Sequence, residues 1–471
     1  MQRLNRQMLN RYDIPERTPA ALNAVQFGTN EALLGTADLL IDAAGGVGVA
    51  CLRPEVAPAE GVDSAALLRE QDGLYTVLLR GYRAEQPVRE ERVVQLMLRV
   101  EDAKSGPEVL GAMPSLALAL VDTCSDDMEA ELSLAARLLA ARRAAGLDGL
   151  SFICLGEDAG CALRTRDAIA ALADGDAGLV HWLKTSNAFY PALAEGVALR
   201  AEAHEAAKLC EAMNYADGMI HLADPAPRLT VQAPEAFRQR WPLDRAGGIR
   251  FVDDLSDALA QKHRFFDAGL FATVAPGWLL GLDTLSDCMR HERLRAFVGH
   301  AYNEEIIPPG EAPRRAAAPR VVEAFERFEN PLNRNALLRA GHHLLRRFER
   351  GALPLMRAWA EENFEPPRRL SFALAATIML YAGARQNAKG RYEVLRGSQV
   401  HALIDDPRAL AVFSSLSHDM PPEALAYAAL ADRELWHGED LRQIDGLEAR
   451  VALDIAQLQR RPGYLPEDAQ V

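Results

Sequence analysis

An α/β domain followed by a mainly α-helical domain is the fold class that the sequence predicts, and three observations lead to it. Short apolar runs alternate with helical stretches through the first half of the chain. Helical periodicity then dominates from about residue 260 to the end. With 471 residues, the chain is long enough for two domains with separate cores. We place the α/β domain at residues 1–240 and the helical domain at 241–471, joined within segment 224–252.

The chain opens with a strand, a turn, a helix and a second strand. Residues 22–27 form a short apolar run, Gly28 ends it, residues 31–43 have helical spacing, and residues 47–52 form a second run. Such a unit is typical of the start of a dinucleotide-binding domain with a parallel sheet. Further predicted elements are strands at 74–79, 116–121 and 150–154 and a helix at 128–144.

Composition and charge narrow the classes of function. The net charge of −14 argues against a nucleic-acid or anionic membrane partner, although a local basic pocket could still hold an acidic substrate. No apolar run reaches the roughly 20 residues that a spanning helix needs. The six cysteines contain no C-x-x-C pair, which favours reduced, buried thiols in a cytoplasmic protein and predicts no metal site. We interpret the Arg- and Ala-rich segment 311–320 as an exposed loop.

Several longer motifs point to one family. They are QFGTNEALL at 26–34, QDGLYTVLLRG at 71–81, AFVGHAYNEEIIP at 296–308 and LSFALAA at 370–376. These motifs resemble those of the mannitol dehydrogenase family of polyol and hexuronate dehydrogenases, and within it the tagaturonate reductases (altronate oxidoreductases). The resemblance implies a Rossmann-like domain with NAD or NADP as cofactor and a sugar acid or polyol as substrate. Relatives of this type are commonly monomers, so we expect a monomer.

The turn after the first strand is the candidate pyrophosphate site. A pyrophosphate binds where a helix N-terminus presents backbone N–H groups and glycines let the backbone come close. Gly28 supplies the first glycine of the family pattern, Asn30 stands at the second, and Leu34 replaces a family arginine. Two interpretations stay open. Either Gly28 and Asn30 form an altered cofactor loop, or Gly28 only ends the strand and Thr29 or Asn30 caps the helix.

A later helix carries the candidate catalytic residues. Family members show a Lys-x4-Asn-x2-His pattern on one broad helix face, with the lysine as general base. The ungapped alignment gives Lys262, Asp267 and Leu270. A carboxylate at Asp267 would favour the protonated form of Lys262, and Leu270 removes a polarising hydrogen bond that is typically worth about 2.7–4 kcal/mol. His263 points roughly 100° away on an α-helix, so we do not count it as a replacement. We expect Lys262 to line an interdomain cleft with Asp267 close to it.

The resemblance supplies further candidates elsewhere in the chain. Arg53 and Glu55, just past the second strand, are candidate ribose contacts. Asn187 matches a family asparagine, and Arg347 stands at a family lysine, a replacement that can still grip a substrate carboxylate. His342 and His343 precede Arg347, and we expect them at the surface.

Three functions follow from these residues. The first is an NAD-dependent oxidoreductase that moves a hydride between the cofactor and a hexuronate or polyol. The second is a catalytically inactive paralogue that binds a metabolite or a partner protein, and the substitutions at Asn30, Asp267 and Leu270 favour it. The third is a changed reaction in which Lys262 and Asp267 form a new acid–base pair.

Overall fold

The chain forms two compact units, residues 1–259 and 260–471. The computed structural model describes residues 1–17, 20–55, 63–173, 175–330, 336–461 and 463–466. The first unit extends past the predicted boundary at residue 240, because residues 228–232 and 249–252 are neighbouring strands of its main sheet. Segment 224–252 is therefore part of the α/β unit and does not join the two units.

The first unit is built on a large, mostly parallel sheet. Its strands run in the spatial order β12-β11-β8-β7-β6-β1-β2-β5. Pairing between β8 and β11 is antiparallel. These strands are β1 (Leu22–Phe27), β2 (Gly48–Leu52), β5 (Met97–Glu101), β6 (Leu118–Asp122), β7 (Ser151–Leu155), β8 (Ala188–Glu195), β11 (Arg228–Gln232) and β12 (Ile249–Val252). Their central members are apolar on both faces, as expected where helices cover both sides of a parallel sheet.

Alternate residues of the central strands enter two different cores. Val25 and Phe27 of β1 pack with Leu138 on one face of the sheet, whereas Ala24 packs with Ile41 on the other. The helices of this unit are α1 (Asp38–Ala44), α2 (Ser64–Glu70), α3 (Gly106–Gly111), α4 (Met128–Ala144), α5 (Cys161–Ala171), α6 (Ala177–Ser186), α7 (Ala203–Met213), α8 (Glu235–Arg240) and α9 (Ser256–Gln261). The carboxyl ends of β1, β2, β6 and β7 meet at one edge of the sheet, where ligands of open α/β sheets bind.

A smaller sheet accounts for one predicted strand that does not join the large sheet. The run predicted at 74–79 belongs to β3 (Tyr75–Arg83), which pairs with β4 (Gln86–Val94) and β10 (His221–Ala223). Strand β9 (Ala198–Arg200) completes this second sheet. The apolar pattern of β3 predicted a strand correctly, but its partners lie far away in sequence and the pattern does not encode them.

The second unit is mainly helical around one large apolar core. Its helices are α10 (Ala268–Leu279), α11 (Leu285–Arg290), α12 (Glu292–His300), α13 (Glu311–Glu329), α14 (Leu337–Ala340), α15 (Leu344–Arg347), α16 (Leu353–Asn363), α17 (Arg368–Tyr381), α18 (Pro407–Ser414), α19 (Pro422–Ala431) and α20 (Leu447–Arg460). A small antiparallel sheet contains β13 (Arg385–Gln386), β14 (Tyr392–Arg396) and β15 (Gln399–Ala402). Helix α17 is buried almost all round, which explains why its sequence is apolar without periodicity.

Three π-helical segments interrupt the helices of this unit within the described residues. They are Lys262–Asp267, Ala301–Ile306 and Phe348–Ala352. A π-turn closes its hydrogen bond over five residues instead of four, and such turns are frequent at functional sites. The first segment holds the candidate catalytic lysine.

Two sequence interpretations are wrong in detail. Residues 311–320, interpreted as a loop, form the first half of α13. Pro313 lies in its first turn, where a missing N–H costs nothing, and the alanines and arginines favour a helix. Cys124 is exposed, whereas the other five cysteines are buried.

Among the described helices, none has the length and apolar character to cross a membrane.

Candidate functional site

The turn after β1 places Gly28 at the carboxyl edge of the large sheet. Its φ of +91° is one that glycine adopts without strain. The N–H of Gly28 donates to the carbonyl of Leu52 at 2.8 Å, which ties the turn to the end of β2. A Cβ atom at position 28 would lie 2.1 Å from Oε1 of Glu131. The positive φ therefore favours glycine here, and a side chain at this position would displace the carboxyl group of Glu131.

Asn30 caps the helix that follows this turn. Its Oδ1 accepts a hydrogen bond from the N–H of Leu33 at 3.0 Å, and its backbone carbonyl accepts from Leu34 at 3.0 Å. This is the capping interaction that the sequence left open. Nδ2 of the same amide is buried and has no partner among the described residues. Leu34 is fully buried in the core, so it contributes no charge to the turn.

Glu131, in the first helical turn of α4, lies against this turn, and no sequence motif singled it out. Ser125 Oγ donates to Glu131 Oε1 at 3.1 Å, while Oε2 is buried without a partner within the described residues. Burial raises the pKa of Glu131 to about 8, the Ser125 hydrogen bond opposes the shift, and the carboxylates of Asp122 and Asp127 add to it. Glu131 is therefore a neutral carboxylic acid at pH 7.

The two ribose candidates also lie at the carboxyl edge, just after β2. Arg53 forms an ion pair with Asp63 at 3.5 Å, and Asp63 in turn caps α2 by accepting from Ala65 and Ala66. Glu55 is exposed. Their position fits a role beside the cofactor loop, and both remain predictions.

Asn187 lies at the opposite edge of the sheet. It follows α6, and its Oδ1 accepts from the N–H of Leu150 at 2.8 Å while its Nδ2 donates to the carbonyl of Leu183 at 3.2 Å. These contacts fix the amino ends of β7 and β8. The substrate-binding assignment of Asn187 is therefore not supported by its position, because ligand sites of parallel sheets form at the carboxyl edge.

In the second unit, Lys262 and Asp267 are direct partners, as the sequence led us to expect. Nζ of Lys262 lies 2.8 Å from Oδ2 of Asp267, and both side chains are almost fully buried. Residues five apart on an α-helix point about 140° away from each other. Residues 262–267 form a π-turn, which brings positions i and i+5 together and makes the contact possible.

Two more side chains complete this cluster. Nδ1 of His263 lies 2.7 Å from Asp267 Oδ2, and Nη1 of Arg347 lies 2.5 Å from Asp267 Oδ1. His263 makes this contact because it lies four residues before Asp267, within reach on the same helix face, while its exclusion as a replacement for the family histidine stays a prediction. Arg347, which was proposed from its alignment as a substrate contact, also stays a prediction in that role. We call Lys262, His263, Asp267 and Arg347 the Asp267 cluster.

The carboxyl group of Asp267 stays ionised at all ordinary pH values. Burial alone would raise its pKa, but Lys262, Arg347 and His263 together hold the pKa well below its usual range. A group that stays ionised cannot exchange protons near neutrality. This argues against the third interpretation, in which Asp267 and Lys262 form a new acid–base pair.

Close backbone packing holds the cluster in place. Residues 348–352 form a second π-turn, and a Cβ atom on its Gly351 would lie 2.6 Å from the carbonyl oxygen of His263 and 2.9 Å from the nitrogen of Ala268. Leu270 is buried in the apolar core, so its side chain contributes no hydrogen bond to the cluster. His342 and His343 are half-buried rather than surface residues as predicted, and they lie at a break in the helix, between α14 and α15.

Comparison with known proteins gives one consistent set of relatives. No family model matches the chain. The altronate oxidoreductase of Yersinia pestis is 27% identical over 94% of this chain and 96% of its own length. The match to the altronate oxidoreductase of Cronobacter sakazakii is 29% identical but spans only 59% of this chain and 56% of that protein.

Two solved structures share the fold over nearly the whole chain. Pseudomonas fluorescens mannitol 2-dehydrogenase, in a complex with NAD and D-mannitol, has a TM-score of 0.74 at 16% identity, with 98% of each chain covered. A substrate-free D-sorbitol dehydrogenase has a TM-score of 0.70 at 16% identity, covering 98% of this chain and 99% of its own. The chain is therefore a homologue of the altronate oxidoreductases with the fold of the mannitol and sorbitol dehydrogenases.

Proposed function

We propose that the protein is a nicotinamide-dependent oxidoreductase that acts on a hexuronate of the altronate and tagaturonate type. The observation that carries the proposal is the buried Asp267 cluster, in which Lys262, at the position of the family's general base, contacts Asp267 at 2.8 Å. The names of the homologues support the substrate class, and the Rossmann-like sheet supports the cofactor.

The first unit has groups that fit a dinucleotide. Gly28 supplies the tight turn at the carboxyl edge of the sheet. The orphaned Nδ2 of Asn30 is a donor without a partner among the described residues, and a phosphate oxygen would satisfy it. Arg53 stands beside the same edge and offers a charge for the pyrophosphate or ribose. The nicotinamide ring, when bound, would supply or accept the hydride.

The second unit has groups that fit a sugar acid. Lys262 and Arg347 both contact the carboxylate of Asp267, which shows that this place in the second unit accepts a carboxylate between an ammonium and a guanidinium group. A guanidinium binds a carboxylate through two parallel hydrogen bonds, so we assign Arg347 to the acid group of the substrate.

Lys262 is the residue that we assign to proton transfer. Its Nζ would hold a proton for the carbonyl oxygen during reduction and accept one from the hydroxyl during oxidation. Asp267 positions that nitrogen and itself remains an unprotonated carboxylate.

The test starts with binding and then moves to turnover. NADH and NADPH are titrated into the protein by calorimetry, and tagaturonate, fructuronate and fructose are then screened by the absorbance of the reduced cofactor. Micromolar binding together with hexuronate reduction supports the proposal. An absence of binding up to millimolar cofactor overturns it.

A second candidate function is a catalytically inactive paralogue that binds a sugar acid or a partner protein. The observation in its favour is Leu270, which is buried in the apolar core at the position where the family has a polar group on the catalytic helix. This second function predicts that the protein binds a hexuronate, measured by calorimetry, but neither binds the cofactor nor turns the substrate over.

A further inference from the structure

The carboxyl group of Glu131 occupies the side of the cofactor loop that a side chain at position 28 would fill. Glu131 Oε1 lies 2.1 Å from where a Cβ atom on Gly28 would stand. The residue belongs to α4, and α4 packs behind the strands that carry the loop. When ionised, Glu131 places a negative charge next to the turn that would bind the negatively charged pyrophosphate.

Two orphaned polar atoms mark this spot as incomplete. Glu131 Oε2 and Asn30 Nδ2 are both buried, and neither has a hydrogen-bond partner within the described part of the chain. Buried polar atoms without partners are rare and call for an explanation such as a missing ligand or water. The amide N–H of Asn30 requires an acceptor and the carboxyl group of Glu131 can donate or accept, and a phosphate or a ribose hydroxyl offers such groups.

We propose that the carboxyl group of Glu131 is part of the dinucleotide loop and admits the anionic cofactor only in its protonated form. This inference rests on the proposed function, because it assumes that the loop receives a nicotinamide dinucleotide. As a neutral acid, Glu131 can donate a hydrogen bond to a phosphate or ribose oxygen. As a carboxylate, it repels the pyrophosphate and offers no donor.

The charges that surround Glu131 support a neutral acid. Asp127 at the start of α4 and Asp122 at the end of β6 raise its pKa, Arg53 after β2 lowers it, and Ser125 bonds its Oε1. Burial is the largest influence and brings the pKa to about 8. Asp122 is itself buried, which raises its pKa to about 6. Cofactor binding should therefore weaken as pH rises past about 8, just above the physiological range.

The experiment measures NADH affinity by calorimetry at pH 7, 8 and 9 for the full-length protein and two variants. Glu131→Gln keeps the shape of the neutral acid and cannot ionise. Glu129→Gln removes an exposed carboxylate from the same helix and serves as the matched control. For the wild type and the Glu129→Gln control, we expect the dissociation constant to rise several-fold between pH 7 and 9. For Glu131→Gln it should stay level across that range.

A second measurement does not depend on any variant. Titrations of the wild type at pH 9, in two buffers with different ionisation enthalpies, count the protons taken up on binding. We expect close to one proton per cofactor. Level affinity between pH 7 and 9, or no proton uptake, overturns the role of Glu131 while leaving the oxidoreductase intact. Wild-type protein that binds no NADH at any of these pH values overturns the proposed function and the role of Glu131 with it.

Discussion

Nζ of Lys262 lies 2.8 Å from Oδ2 of Asp267, five residues further along a π-turn. The ion pair is buried and shared with Arg347 and His263. Asp267 thus serves as the common anchor of three basic side chains, and the first two predictions follow from that arrangement.

Replacing Lys262 with methionine should abolish most of the turnover while leaving cofactor binding unchanged. Methionine keeps the apolar stem and removes the proton-carrying nitrogen, and a positioned acid–base group contributes about 10²–10⁴-fold to rate. The assay is hexuronate reduction followed by NADH absorbance, with Lys389→Met, at an exposed lysine of the same unit, as the control. Full activity in Lys262→Met would remove the lysine from the mechanism.

Replacing Asp267 with asparagine should destabilise the second unit. The change removes the Asp267 carboxylate from the buried Lys262 and the half-buried Arg347, and breaking a buried ion pair from one side typically costs about 3–5 kcal/mol. Urea unfolding of the variant should show a lower midpoint than the wild type. The double variant Lys262→Met with Asp267→Asn should recover part of the lost free energy of unfolding. If the losses of the two single variants simply add in the double variant, the two residues are not coupled.

The stability of the fold should decrease as pH rises from about 4 to about 7 and then level off. Burial raises the pKa of Asp38 to about 7, of Glu305 to about 7 and of Asp454 to about 7. These acids stay protonated in the folded state at pH values where they would ionise in the unfolded chain. The unfolded state therefore binds fewer protons, and the free energy of unfolding falls with pH until the raised values are passed.

The variant Asp38→Asn isolates one of these groups. Asparagine keeps the shape of the neutral acid beside the Tyr75 hydroxyl, which lies 3.1 Å from Asp38 Oδ2. Thermal unfolding at pH 5 and pH 8 should show a smaller fall in the midpoint for this variant than for wild type. The exposed Asp257→Asn serves as control. An identical fall in both variants would mean that Asp38 does not carry the effect.

Replacing Asn187 with alanine should lower stability and leave the KM for substrate unchanged. The variant leaves the buried N–H of Leu150 without its acceptor, a loss of about 1–3 kcal/mol. Thermal unfolding and steady-state kinetics on one preparation distinguish the two roles. A raised KM at unchanged stability would restore the substrate-binding assignment that the sequence first suggested.

Local patterns predicted much of this fold, because the elements concerned are set by their own residues. The strand at 22–27 and the helix at 128–144 were predicted with the bounds that the structure has, since apolar periodicity and turn residues mark both. Residues 311–320 were interpreted as a loop from their Arg- and Ala-rich composition, although alanine and arginine favour a helix, and they form the first half of α13. Pro313 is compatible with this helix because it lies in the first turn.

The candidate site was harder to predict, because it depends on contacts between distant segments. Arg347 was found only by its alignment, and its contact with Asp267 joins residues 80 positions apart. Glu131 left one overlooked signal, since it shares a helical stripe with the buried Ala135 and Leu138. The close contact between Lys262 and Asp267 needs the π-turn, and no pattern in the sequence predicts such a turn.

The π-turn at 262–267 also affects how such helices should be compared between relatives. It holds one more residue per turn than the α-helix around it, so it is equivalent to a single-residue insertion that the helix has absorbed without a loop. Removing one residue from this turn would convert it to a regular α-helical turn and leave the later side chains of α10 in place. An ungapped comparison with a relative whose helix has no such turn would therefore shift Lys262 by one residue relative to the core residues that follow it.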